Sequence, residues 1–134
     1  MTPPVPIRYF LLILAVGDLA RAKRFYDAAF GWEVAVDLPV FVEYRVAPGV
    51  DVGLYTRDGY ARNTGAAPAA IPAGAIAATE LYLRVDDLGA AVRRVEAAGG
   101  RLLSPAARRV WGDEAAYFAD PDGNVVAVAT EGEE

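Results

Sequence analysis

The sequence predicts an α+β fold made of two βαβββ modules in one chain, forming an eight-stranded open cup of sheet with helices outside. Three observations carry this. Residues 11–34 laid over residues 80–103 give ten identities in twenty-four positions, among them Leu12/Leu81, Leu14/Leu83, Val16/Val85, Asp18/Asp87, Leu19/Leu88 and Gly31/Gly100. Each copy runs from alternating apolar residues through an aspartate into an amphipathic stretch closed by glycine. Each is followed by strand-like runs joined at a Pro/Gly turn. An internal repeat constrains architecture before any single element does, and a chain of 134 residues is long enough for one core but short for two ordinary domains. The copies therefore read as halves of one domain: module one over about 7–57, a connector over about 58–78 and module two over about 79–130.

The first strand, around residues 9–16, is apolar and short, and a helix start follows it at once. Asp18 is suited to cap that helix, whose Leu19, Ala22, Phe25, Tyr26 and Ala29 share one face and which Gly31 stops. Strands are predicted over 33–38, 40–47 and 50–56, the last two joined at Pro48 and Gly49. Residues 57–79 are rich in Ala, Gly and Pro and read as a flexible connector able to lie over a cleft. In module two Asp87 caps a helix bearing Leu88, Ala91, Val92, Val95 and Ala98, ended by Gly99 and Gly100. Strands follow over 101–104, 114–119 and 124–130, and Asp120, Pro121, Asp122 and Gly123 read as turn chemistry rather than a calcium loop.

Composition narrows the function. The net charge is −5 with dispersed basic residues, so no nucleic-acid footprint is present. No apolar run reaches the length of a membrane span, and the reading is a cytoplasmic protein with no membrane partner. There is no cysteine and no histidine, which removes thiolate metal sites, thiol nucleophiles and any Ser-His-Asp arrangement.

The strand-Val-x-Asp-Leu-helix signature at Val16–Leu19 and Val85–Leu88, together with the hairpin running from Ala116 through Asp120, Pro121, Asp122 and Gly123 to Asn124, resembles the vicinal oxygen chelate superfamily. That group holds glyoxalase I, extradiol dioxygenases, fosfomycin-resistance enzymes and bleomycin-resistance proteins. The resemblance implies a cleft inside the cup, dimerisation through sheet edges and, in the enzymes, a divalent metal held from the first and last strands of each half. Carried over by position, the ligand places are Leu11, Gly53, Glu80 and Ala127. One side chain of the four can bind a metal, whereas metal sites need three or more protein ligands or a carboxylate-rich shell. The expectation is no metal and no cofactor.

Period-two alternation splits each strand into faces. The shared Leu12/Leu81, Leu14/Leu83 and Val16/Val85 fall on the packed face. The other face differs, with Leu11, Ile13 and Ala15 in one copy against Glu80, Tyr82 and Arg84 in the other. Phe41, Glu43 and Arg45 are placed on the open face, since Val40, Val42, Tyr44 and Val46 make the better core face; Asp51, Gly53 and Tyr55 join them, as do Val125, Ala127 and Ala129 in module two. The candidate ligand-binding set is Phe41, Glu43, Arg45, Tyr55, Glu80, Tyr82, Arg84 and Trp111. Each has a plainer reading: Glu80 as a solvated strand start, the aromatics as hairpin packing. Trp32 is read as packing, and Asp113–Glu114 as a solvated turn. The leading function is metal-free binding of a small aromatic or cationic molecule by a homodimeric protein, with no catalytic residue. The alternative is a lyase, isomerase or dioxygenase-type enzyme, either using a divalent metal held by carboxylates such as Glu43, Asp51 and Glu80 or working without metal, with Glu80 as candidate base. A third is a pure assembly module.

Overall fold

The computed structural model describes residues 1–132. Its elements run β1 (Leu11–Val16), α1 (Leu19–Ala29), β2 (Glu33–Asp37), β3 (Phe41–Ala47), β4 (Val50–Thr56), α2 (Arg57–Thr64), β5 (Glu80–Arg84), α3 (Leu88–Ala97), β6 (Arg101–Arg108), β7 (Glu114–Ala119) and β8 (Val125–Thr130). Two four-stranded mixed sheets result, ordered β1-β4-β3-β2 and β5-β8-β7-β6, and they do not close on one another. In each, the first strand pairs parallel to the last and the rest are antiparallel.

The repeated aspartates act as the alternation of the sequence demands. Asp18 accepts the amide of Arg21 at 3.0 Å and Asp87 accepts that of Ala90 at 3.0 Å, each satisfying a donor left free in a first helical turn. Helix α1 ends at Gly31 with φ 63° and α3 at Gly99 with φ 103°, a left-handed conformation natural to glycine. The buried faces meet in one core. Leu14, Val16, Phe25, Tyr26, Val42, Tyr44, Val52 and Leu54 from module one pack with Val95, Phe118, Val126 and Val128 from module two. Helices α1 and α3 touch across the module boundary, and each lies on the strands of its own half. Trp32 packs as expected, its ring stacked on Phe30 at 4.6 Å.

Two elements differ from the sequence reading. The connector begins as a helix: Thr56 caps α2 by accepting the amide of Gly59 at 3.1 Å, and Gly65 ends it at φ 84°. Such a short polar helix has no apolar face to announce it, so its caps were its only signal. Strand β6 runs on to Arg108, four residues past the predicted end, because Pro105 sits on an edge strand within a register shift, where a missing amide costs no ladder bond. Among the described residues no helix is long and apolar enough to cross a membrane.

The turn at residues 120–124 carries more than its own closure. Asp120 Oδ1 accepts the amides of Asp122 and Asn124, each at 2.9 Å, as turn chemistry requires. Its Oδ2 accepts the hydroxyl of Tyr26, from α1 of the other module, at 2.7 Å. Asp122 Oδ1 accepts the amide of Gly17 at 2.8 Å. The turn of module two thereby ties itself to the helix of module one.

Candidate functional site

Seven of the eight candidate side chains lie on strands, four on the first sheet and three on the second, and Trp111 joins the second group from the turn before β7. On the first sheet Leu11, Asp51 and Arg45 align across β1, β4 and β3, as do Ile13, Gly53 and Glu43, and then Ala15, Tyr55 and Phe41. On the second, Tyr82, Ala127 and Tyr117 form one such row, and Arg84, Ala129 and Ala115 the next. The contacts of each cluster stay within its own half.

In the first cluster Phe41 and Tyr55 meet with ring centroids 5.1 Å apart, and Tyr55 also meets Tyr60 of α2 at 6.4 Å. Gly53 lies beneath them: a Cβ there would come within 2.7 Å of Phe41 and 3.4 Å of Leu11. Glu43 and Asp51 are buried side by side, Asp51 only 2% exposed. The hydrogen bond between the two carboxyls holds Glu43 above the usual carboxylate range, with burial adding to it. Asp51 Oδ2 is buried without a hydrogen-bond partner among the described residues. Arg45 approaches Asp51 Oδ1 at 4.0 Å from a largely exposed position.

The second cluster is organised by a residue that sequence reasoning left in a solvated turn. Asp113 is buried, and its Oδ2 accepts the hydroxyl of Tyr82 at 2.6 Å. Arg84 reaches both Asp113 oxygens at 3.4 Å and Glu131 at 2.6 Å. The indole N–H of Trp111 donates to the Tyr82 oxygen at 2.9 Å. The Tyr82 bond, and after it the Arg84 charge, hold the Asp113 carboxyl below its ordinary range. Asp113 is therefore not a solvated turn residue: it follows Gly112, whose φ of 101° is in the left-handed region, and its carboxylate meets Tyr82 of β5.

Glu80, at the start of β5, is exposed and makes no hydrogen bond or ion pair among the described residues. It borders a hollow of about 300 Å³ lined also by residues 76–79, Leu103, Ser104 and Tyr117. Burial, and secondarily the Glu80 charge, raise the Tyr117 hydroxyl pKa. Arg109 lies over the Tyr117 ring at 4.9 Å and is held by Ser104 Oγ and the Ala115 carbonyl. Tyr117 and Arg109 were not singled out in the sequence. The inward phase of Tyr117, set by its alignment with Ala127, was the available signal.

The four family ligand places do not fit a divalent ion. Leu11, Gly53 and Ala127 have no donor atom in their side chains, the room at Gly53 is taken by Phe41, and Ala127 is flanked by two tyrosines. Among the described residues no three acidic side chains come together as a metal cage.

Paired βαβββ units with an open, side-chain-lined sheet face define the glyoxalase-type scaffold. The family model of the Glyoxalase/Bleomycin resistance protein/Dioxygenase superfamily matches residues 7–128, and the chain belongs to that superfamily. Solved structures agree. A glyoxalase-related enzyme from Fulvimarina pelagi is 28% identical with a TM-score of 0.82, over 92% of this chain and 88% of that one. Lactoylglutathione lyase from Agrobacterium tumefaciens is 26% identical with a TM-score of 0.69, over 96% and 95%. A glyoxalase/bleomycin resistance protein/dioxygenase from Nocardioides is 25% identical with a TM-score of 0.78, over 98% and 87%. Comparison with curated protein sequences finds no match.

Proposed function

We propose that this protein binds a small aromatic or cationic molecule without a metal, on the open face of the second sheet. The observation that carries the reading is the loss of donors at the family ligand places, with the Phe41 ring filling the space at Gly53. A scaffold whose metal places hold Leu, Gly and Ala is left with recognition by shape, ring stacking and one charge. Glu80 is that charge, its side chain in no hydrogen bond or ion pair among the described residues, in the lining of a hollow beside Tyr117. Trp111, 55% exposed, presents a ring from the turn before β7 and is steadied by Tyr82 of the same sheet. Ligand pockets characteristically combine such apolar and aromatic walls with few polar groups.

Calorimetric titration with tryptamine, an aromatic cation, tests this. Saturable one-to-one binding is expected in the wild type. It should weaken by about tenfold in Glu80→Gln, since a charge-assisted hydrogen bond contributes about 1.5–3 kcal/mol. Metal analysis of protein purified without chelator supplies the opposing result: one tightly held divalent ion per chain overturns the metal-free reading.

The buried Glu43–Asp51 pair favours a second reading, that of a lyase or isomerase in which Glu43 carries a proton to or from the substrate. Glu43→Gln would then abolish turnover of a dicarbonyl or hemithioacetal substrate while tryptamine binding stayed intact. Pairing of two copies belongs to the proposal as well. Val5, Ile7, Tyr9 and Phe10 are exposed beside β1, an edge strand, which supports a homodimer, and light scattering reads its mass directly. A cytoplasmic location is proposed with it.

A further inference from the structure

A second hollow, of about 460 Å³, opens where the two modules meet and is lined by none of the candidate ligand residues. Module one contributes Arg21 from α1 and Arg57 from the start of α2. Module two contributes Arg101 and the 120–123 turn, and residues 70–75 of the connector form the remaining wall. In a chain of net charge −5, the lining of this concavity sets three guanidinium groups against the two carboxylates Asp120 and Asp122.

The acidic groups present do not use up these cations. Asp120 spends its oxygens on Tyr26, Asn124 and two turn amides. Asp122, its side chain 5% exposed, takes Arg21 at 3.2 Å and approaches Arg57 at 3.9 Å through the single atom Oδ1. A guanidinium has five N–H donors in a fixed fork. Arg21 and Arg57 therefore keep most of theirs, and their side chains remain 46% and 32% exposed. Arg101 makes no hydrogen bond or ion pair among the described residues.

The repeat argues that this arrangement is not a by-product of the scaffold. A Cβ at Gly17 would lie 2.6 Å from Arg57 Nη2, so glycine at this place admits the guanidinium against the backbone. The equivalent place in module two is Asp86, and the equivalent of Arg21 is Ala90. The second copy forms the same capped helix with neither residue, so the helix itself does not require them.

We propose that this hollow is an anion site that takes a phosphate group, free or at the end of a phosphorylated small molecule, held between Arg21 and Arg57 of module one and Arg101 of module two. Forked guanidiniums match the oxygens of such a group. The volume falls within the range of small-molecule pockets and leaves room for more than a bare oxyanion. Because the arginines come from both modules, binding also braces their junction.

Calorimetric titrations with inorganic phosphate and with glycerol phosphate, at fixed ionic strength in chloride buffer, test the proposal. Saturable binding of at least one is expected, with a rise in Tm; tighter binding of phosphate marks the free oxyanion and tighter binding of the ester marks a phosphorylated molecule. Arg101→Gln should weaken binding by about tenfold, while its ligand-free Tm stays at the wild-type value because the Arg101 side chain makes no hydrogen bond or ion pair among the described residues. Arg57→Gln should weaken binding comparably. Absence of saturable binding by both probes, or wild-type affinity in Arg101→Gln, overturns the proposal.

Discussion

The hydroxyl of Tyr26, in the helix of module one, donates to Oδ2 of Asp120, in the turn of module two, across 2.7 Å in a site closed to solvent. Burial raises the Asp120 carboxyl pKa, and its hydrogen bonds from Tyr26 and Asn124 oppose that rise. Two copies of one folding unit are thus joined by a buried polar bond.

Tyr26→Phe keeps the ring packing and removes the donor. Asp120 Oδ2 keeps the Asn124 amide at 3.1 Å, and loss of the second bond to this carboxylate should cost about 1.5–3 kcal/mol. Urea unfolding should show a lower midpoint at an unchanged m value. An unaltered midpoint would mean that Asp120 is served fully by its own turn.

Glu43 gives the first sheet a pH dependence. Its folded pKa lies above the ordinary 4.5 through the hydrogen bond to Asp51. The stability it contributes is therefore complete below that value and lost as pH rises through the folded pKa, since the unfolded chain releases the proton first. Urea midpoints taken from pH 4 to pH 7 should fall in the wild type and fall less in Glu43→Gln. Parallel curves would remove Glu43 as the source.

Gly53→Ala sets a new Cβ against the Phe41 ring. Overpacking of this kind costs about 1–3 kcal/mol. In a Phe41→Ala background the same change should become neutral or slightly stabilising, because alanine loses less backbone freedom than glycine on folding. A thermodynamic cycle over the two sites checks the coupling, and additive effects would separate them.

Asp113→Asn should loosen the Tyr82 hydroxyl and, with it, the Trp111 indole. In a Trp32→Phe background, where Trp111 is the remaining indole, emission should shift to the red and tryptamine binding should weaken. Emission at the wild-type wavelength would show that Trp111 is steadied without Asp113.

The boundary between what was legible and what was not follows the range of the forces involved. Asp18 and Asp87 as caps, Gly31 as a stop, and Val42 and Tyr44 on the packed side of β3 were readable because caps and period-two alternation are local properties of a few consecutive residues. Helix α2 was missed because its eight residues carry no apolar stripe. Asp113 was misplaced because its burial is created by Tyr82, thirty-one positions away.

By itself the sequence determined two βαβββ units, their packed faces and the lack of donors at Leu11, Gly53 and Ala127, all of which follow from residue identity and spacing. Only the tertiary structure decided that the candidate residues form two clusters, that Asp113 organises one of them, and that three arginines from two modules surround one hollow. Those outcomes depend on contacts between residues distant in the chain, and no local pattern encodes the distance across a packed interface.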